Sequence, residues 1–210
     1  MLRPAYHPGR YHAPSEREAL EIAVGAILTQ NTAWSNVEKA IAGLRGASAL
    51  TPDALRKIPR RRLEKLIRSS GYFRQKAVKL LDFLRHVDGR GGSIRRWLSG
   101  PLDSLREDLL SVRGVGPETA DSILLYAGGR SAFVVDAYTI RIGRRIGWYR
   151  QAAYDQVQRY LVERLPCSKV VYQEFHALIV ALAKYHCRTE PLCGACPLRE
   201  GCRHGRKHAN

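Results

Sequence analysis

The sequence predicts an all-α protein of one domain or two small lobes, on three observations. Apolar residues recur at helical spacing almost throughout, and strand signals are nearly absent. Glycine and proline cut that pattern into many short helices. Four cysteines crowd the last 24 residues, a tail too short to build its own apolar core without a metal staple.

In chain order, a Pro-, Tyr- and His-rich arm (1–14) precedes Ser15, which caps a helix with Glu18 three residues on. That helix repeats Ala19, Ile22, Ala23, Ala26 and Ile27 on one face. Shorter helices follow, separated by Gly46, Pro52, Pro59 and Gly71. Segment 75–87 is amphipathic, and Gly89, Gly91 and Gly92 then form a linker. Helical signals resume at 102–112, 117–127, 137–147, 153–165 and 169–186, before a basic, frayed tail.

Composition narrows the partners. An apolar content of 45% suffices for a packed core, while 35 Lys and Arg against 19 Asp and Glu leave a net charge of +16. A chain so basic attracts polyanions, nucleic acid first. No signal-peptide core or run of membrane-spanning length is present, which predicts an intracellular, cytoplasmic protein with reduced thiols and no membrane partner.

Cys187, Cys193, Cys196 and Cys202 stand in the spacing C-x5-C-x2-C-x5-C. Four soft sulfur ligands suit structural zinc and a [4Fe–4S] cluster alike. Either way the coordination shell is closed, so the metal holds shape and leaves no position for a substrate. The fifth cysteine, Cys167, reads as a buried small hydrophobe.

In LLSVRGVGPETADSILLYA (109–127), Gly114-Val115-Gly116 makes a tight turn and Pro117 opens the next helix. Backbone N–H groups beside a helix N-terminus can bind phosphate without any side chain, although a plain helix corner needs the same glycines. Eighteen residues beyond Glu118 comes Asp136, after an apolar run and before a helix. It reads as an N-cap, and also as the carboxylate that glycosidic cleavage requires opposite an oxocarbenium-like sugar.

VRGVGPETA, VVDAYTIR, GAILTQNTAW and the four-cysteine tail together resemble the endonuclease III family of helix–hairpin–helix DNA glycosylases, over roughly residues 16–202. The resemblance implies a two-lobed all-α fold with duplex DNA across the cleft and a [4Fe–4S] cluster in the C-terminal loop, with structural zinc the alternative. It assigns 15–30 and 137–210 to the cluster lobe, and 31–136 to a central bundle containing the hairpin.

Two departures narrow the activity. Bifunctional members carry a nucleophilic lysine two places after the second hairpin glycine, where this chain has Glu118, and a carboxylate cannot form a Schiff base. The first cysteine interval is five residues where most such tails have six, and the RTEPL within it carries one Arg, a weak phosphate grip. AVGAILTQNTAWSNVEKAI and VRGVGPETADSILLYA are most similar to the endonuclease III-related 3-methyladenine glycosylases, although the aromatic segment those proteins place upstream is absent from AYHPGRYHAP.

By the same resemblance, Gln30 and Asn31 reach into the space left by an extruded base, unless they only cap their helix. Tyr72 is the intercalating wedge or an ordinary loop aromatic; Arg74 and Lys76 contact phosphate or are merely solvated. Gly114, Val115 and Gly116 hold the backbone. Tyr6, Tyr11, Trp34 and Trp97 are candidate pocket walls, with core packing the stronger reading for Trp97. Lys184 is site-adjacent or a solvated flank, and His176 is a satisfied core or interface histidine. The expected protein is a monomeric, monofunctional glycosylase acting on a damaged base in double-stranded DNA, an alkylated purine before an oxidised or mismatched pyrimidine. A catalytically silent damaged-DNA binder is the remaining reading.

Overall fold

A computed structural model describes residues 13–151 and 153–208. Tyr6, Tyr11 and residues 1–12 of the arm lie outside the described residues. Those described are helical with no strand, and no helix among them is long and apolar enough to cross a membrane. By their contacts they divide into two units, Ala13–Ala132 and the chain from Phe133 onward.

The first unit is built around α1 (Glu16–Leu28). Ser15 and Glu18 form the expected reciprocal cap: Ser15 Oγ accepts from Glu18 N at 3.3 Å, and Glu18 Oε2 accepts from Ser15 N at 2.8 Å. Ala19, Leu20, Ala23, Val24, Ala26, Ile27 and Leu28 are all buried, more than one stripe of the helix. A helix apolar almost all round belongs in the middle of a core. Accordingly α1, which the sequence grouped with 137–210, makes its helix contacts inside the first unit.

Around α1 come α2 (Trp34–Gly46), α3 (Pro52–Lys57), α4 (Arg60–Leu66), a 3₁₀ turn (Arg68–Ser70), α5 (Phe73–Gly89), α6 (Ile94–Trp97), α7 (Leu102–Ser111) and α8 (Pro117–Ser122). Glu16 fastens α1 to α6 by accepting from Ile94 N at 2.7 Å and Ser93 Oγ at 3.0 Å. Trp97 packs in the core, as expected, with Nε1 donating to Asp108 Oδ2 at 2.7 Å. The expected helix 117–127 changes pitch: α8 runs into a π-helical turn at Ile123–Ala127, which Gly128 N closes by donating to Ile123 O at 2.9 Å. That turn is wholly buried against α1, where packing decides the pitch.

The second unit holds α9 (Ala137–Ile146), α10 (Tyr154–Val162), α11 (Lys169–Tyr185) and α12 (Arg203–Lys207). Its interior is aromatic. Phe133 meets Tyr172 edge-on at 5.4 Å between centroids, and Trp148 stacks on Tyr160 and Phe175, each at 6.3 Å. Such pairs add to what burial alone contributes. Cys167 corrects its expectation: it is exposed, because it follows Pro166 in the connection to α11, and connections run over the surface.

Candidate functional site

In the first unit the α7–α8 corner carries the two glycines, and they do different work. Gly114 sits at φ +85°, and a Cβ there would lie 2.6 Å from Lys79 Cγ. Gly116 is extended (φ −98°, ψ 178°), with nothing within 4 Å of an added Cβ. Only Gly114 therefore needs to be glycine for the fold. Among the described residues the amides of Gly114 and Gly116 donate to no backbone carbonyl. Val115 differs from its expected role as a DNA contact: it is buried, and its amide already donates to Val112 O at 3.0 Å. Its side chain anchors the corner in the core.

Side chains from distant elements brace this corner. Gln30 Nε2 donates to Gly114 O at 2.9 Å and to Thr119 Oγ1 at 3.0 Å, while its Oε1 accepts from Lys79 Nζ. Gln30, expected to fill the space of an extruded base, is tied to the hairpin here. Behind the corner Arg106 pairs bidentately with Asp121, whose carboxylate is fully buried (2.9 and 3.3 Å). A buried charge is tolerable when so paired, and the pair joins α7 to α8.

Lys76 is a clear correction. Only 2% of it is exposed, and Nζ donates to Leu28 O at 2.9 Å and Ser70 O at 2.6 Å. Burial, then the charge of Lys79, lowers its pKa to about 8. The ammonium ties α1 to the loop before α5 and is not a phosphate contact. The signal was present: positions 76, 80, 83 and 87 form one buried stripe of α5. Tyr72 and Arg74 remain outward. Tyr72 is 67% exposed and left-handed (φ 42°), a costly conformation for an aromatic residue. Arg74 is exposed beside the Phe73 ring, and Asn31 is exposed at φ 53°. Trp34 is half-buried, and Glu118 is exposed on the first turn of α8.

In the second unit Asp136 caps α9. Its Oδ1 accepts from Thr139 N and Thr139 Oγ1, both at 2.7 Å. Its Oδ2 lies 3.5 Å from His176 Nε2, an ion-pair distance rather than a tight hydrogen bond, and the two side chains are 13% and 14% exposed. Burial pushes the carboxyl upward, but His176 and the Thr139 donors outweigh it and hold it below its ordinary value. Lys184 is exposed in the last turn of α11, its carbonyl accepting from Arg188 Nε at 2.9 Å. No hydrogen bond or ion pair among the described residues joins it to Asp136.

The four cysteines line one small pocket with Arg145, His186 and Gly205. Arg145, from α9, donates to Cys187 Sγ at 3.3 Å and to the carbonyls of Arg188 and Thr189, while Arg141 Nε donates to Cys187 O at 3.0 Å. Burial, then the three other thiols, raises the Cys193 pKa, so the sulfurs already sense one another. Among the described residues no three His, Cys, Asp or Glu side chains are arranged to hold a metal ion as they stand. Four thiols sharing one pocket are a soft donor set that suits a [4Fe–4S] cluster and a structural zinc alike.

Residues 24–167 match the model of the HhH-GPD superfamily of base excision DNA repair proteins, more than half of the chain. The chain belongs to that superfamily. Among its relatives is a Methanocaldococcus jannaschii protein whose name assigns it to the DNA repair glycosylases. The two are 42% identical over 185 residues, 87% of this chain and 84% of that one. Endonuclease III of Thermotoga maritima is 30% identical over 89% of this chain and 84% of its own. Endonuclease III trapped in a covalent intermediate with DNA superposes with a TM-score of 0.79 at 27% identity, covering 97% of this chain and 92% of the other. The Helicobacter pylori 3-methyladenine DNA glycosylase bound to 1,N6-ethenoadenine gives 0.74 at 26%, over 87% and 89%.

Proposed function

We propose that this HhH-GPD protein is a monofunctional DNA glycosylase that hydrolyses the bond between deoxyribose and a damaged base, an alkylated purine first. The observation that carries the reading is the division of labour on Asp136: Oδ1 is held by the helix cap, and Oδ2 stays ionised beside His176. The net charge of +16 draws duplex DNA, and the open amides of Gly114 and Gly116 receive its phosphates. Tyr72 enters the stack as the base leaves it, and Arg74 contacts the flanking backbone.

In the reaction the C1′–N bond breaks and its electron pair leaves with the base. Asp136 stabilises the positive charge left on the sugar. Water then adds to C1′ and its proton departs, giving an abasic site and the free base. An N-alkylated purine already carries positive charge and departs neutral, so one carboxylate suffices. Glu118 supplies no amine, and the product strand stays intact. Cys187, Cys193, Cys196 and Cys202 would hold a [4Fe–4S] cluster, which with four protein ligands stabilises the loop that α9 grips through Arg141 and Arg145. The working unit in this reading is the monomer. Removal of oxidised or mismatched pyrimidines is the second reading, favoured by the overlay on endonuclease III.

A panel of single-lesion duplexes, with and without later alkali, tests this. Release of an alkylated purine with strand breakage only after alkali is expected. Borohydride trapping or direct scission would refute the monofunctional reading, and release confined to oxidised pyrimidines would select the second one.

The hairpin makes a sharper test. Gly116→Ala, unstrained and unopposed, is expected to leave the melting temperature unchanged and weaken binding to an abasic duplex, with a shallower salt dependence. Gly114→Ala is expected to destabilise by about 1–2 kcal/mol, from its left-handed backbone. Unchanged affinity of the folded Gly116→Ala protein would make the corner purely structural.

A further inference from the structure

We infer that His176 is a positioning residue for Asp136, holding Oδ2 in place while Thr139 holds Oδ1. The inference rests on the proposed role of Asp136, but its physical core, the effect of one side chain on the other, does not.

Both Thr139 donors go to Oδ1 at 2.7 Å, as a helix cap requires. An ordinary cap would leave Oδ2 to solvent. Here Oδ2 faces His176 Nε2 at 3.5 Å, both side chains largely shielded from water, where a charge–charge contact is less screened than at a surface. His176 arrives from another element: α11 packs along α9, and Tyr172, His176, Ile179 and Ala183 fall on its inward stripe. Its neighbour Phe175 stacks on Trp148, which fixes the backbone from which the imidazole projects. A core position that could have carried leucine thus carries an imidazole, whose ring N–H can donate to a carboxylate.

The surrounding groups do not duplicate this. From beyond α9, Tyr149 is pushed up to about 12, chiefly by burial, with Arg144 drawing it down and Asp136 adding to the rise; its hydroxyl donates to Thr139 O at 2.9 Å. On α11 itself Tyr172 is raised, first by burial, and Glu174 is exposed on the outer face. Tyr154 of α10 accepts from Val135 N at 3.3 Å. None of these brings a positive charge to Oδ2.

The test uses the full-length protein and two variants. His176→Leu removes the donor and the charge on an apolar stripe that accepts leucine; His176→Gln returns a neutral donor of similar reach. The Asp136 carboxyl is titrated directly by ¹³C NMR in free protein, and single-turnover base release is followed against pH. Expected for His176→Leu is an upward displacement of the carboxyl titration, with a roughly 10- to 100-fold slower release and unchanged affinity for abasic duplex. Expected for His176→Gln is partial recovery of rate with the acid limb still displaced. A carboxyl titration that stays put in both folded variants overturns the inference, as does a rate that falls equally at every pH. If the carboxyl moves but wild-type protein releases no base from any lesion, the positioning stands and the glycosylase reading fails.

Discussion

Asp136→Asn is expected to leave the protein folded and bound to DNA while slowing single-turnover base release by about 10²-fold or more, because one aligned charge opposite the sugar cation is lost. Asparagine caps helices about as well as aspartate, so the two bonds from Thr139 to Oδ1 have a replacement acceptor and the melting temperature should hold. Affinity for DNA should stay level or rise, since an anion is removed beside a polyanion. Asp136→Ala separates the roles: it should lose the same activity and also about 1 kcal/mol of stability. An Asn variant that melts early yet releases base at the wild-type rate would reduce Asp136 to a helix cap.

Cys193→Ser is expected to have the largest structural effect. Structural metal sites of this size contribute on the order of 10 kcal/mol to folding, and the connection between α11 and α12 has little apolar core of its own: Leu192 and Leu198 are exposed. The wild-type protein, prepared anaerobically, should be brown and contain iron; the variant should lose iron, expose 187–208 to protease and bind DNA more weakly. Stoichiometric zinc in the wild-type preparation would assign the pocket to the other metal. Because Arg145 donates to Cys187 Sγ from the helix that Asp136 caps, this variant should also shift α9 amide exchange, a readout independent of catalysis.

The sequence by itself determined the helices, their caps and the family. Ser15 with Glu18, the α5 stripe and the glycines of the α7–α8 corner are local signals, read over one or two turns, and each appears where expected. The position of Asp136 at a helix N-terminus was equally legible. Tertiary structure alone decided what those side chains meet. Lys76 looks like a surface cation beside Arg74, yet its ammonium finds Leu28 O, 48 residues away in sequence. Gln30 is braced by Gly114, 84 residues away. His176, whose spacing marks it as a core or interface histidine, faces a carboxylate 40 positions earlier. Helical periodicity fixes which side of a helix is buried, but not which group lies opposite. That is set by how α11 packs on α9 and α1 on α5, and polar groups so enclosed must find partners.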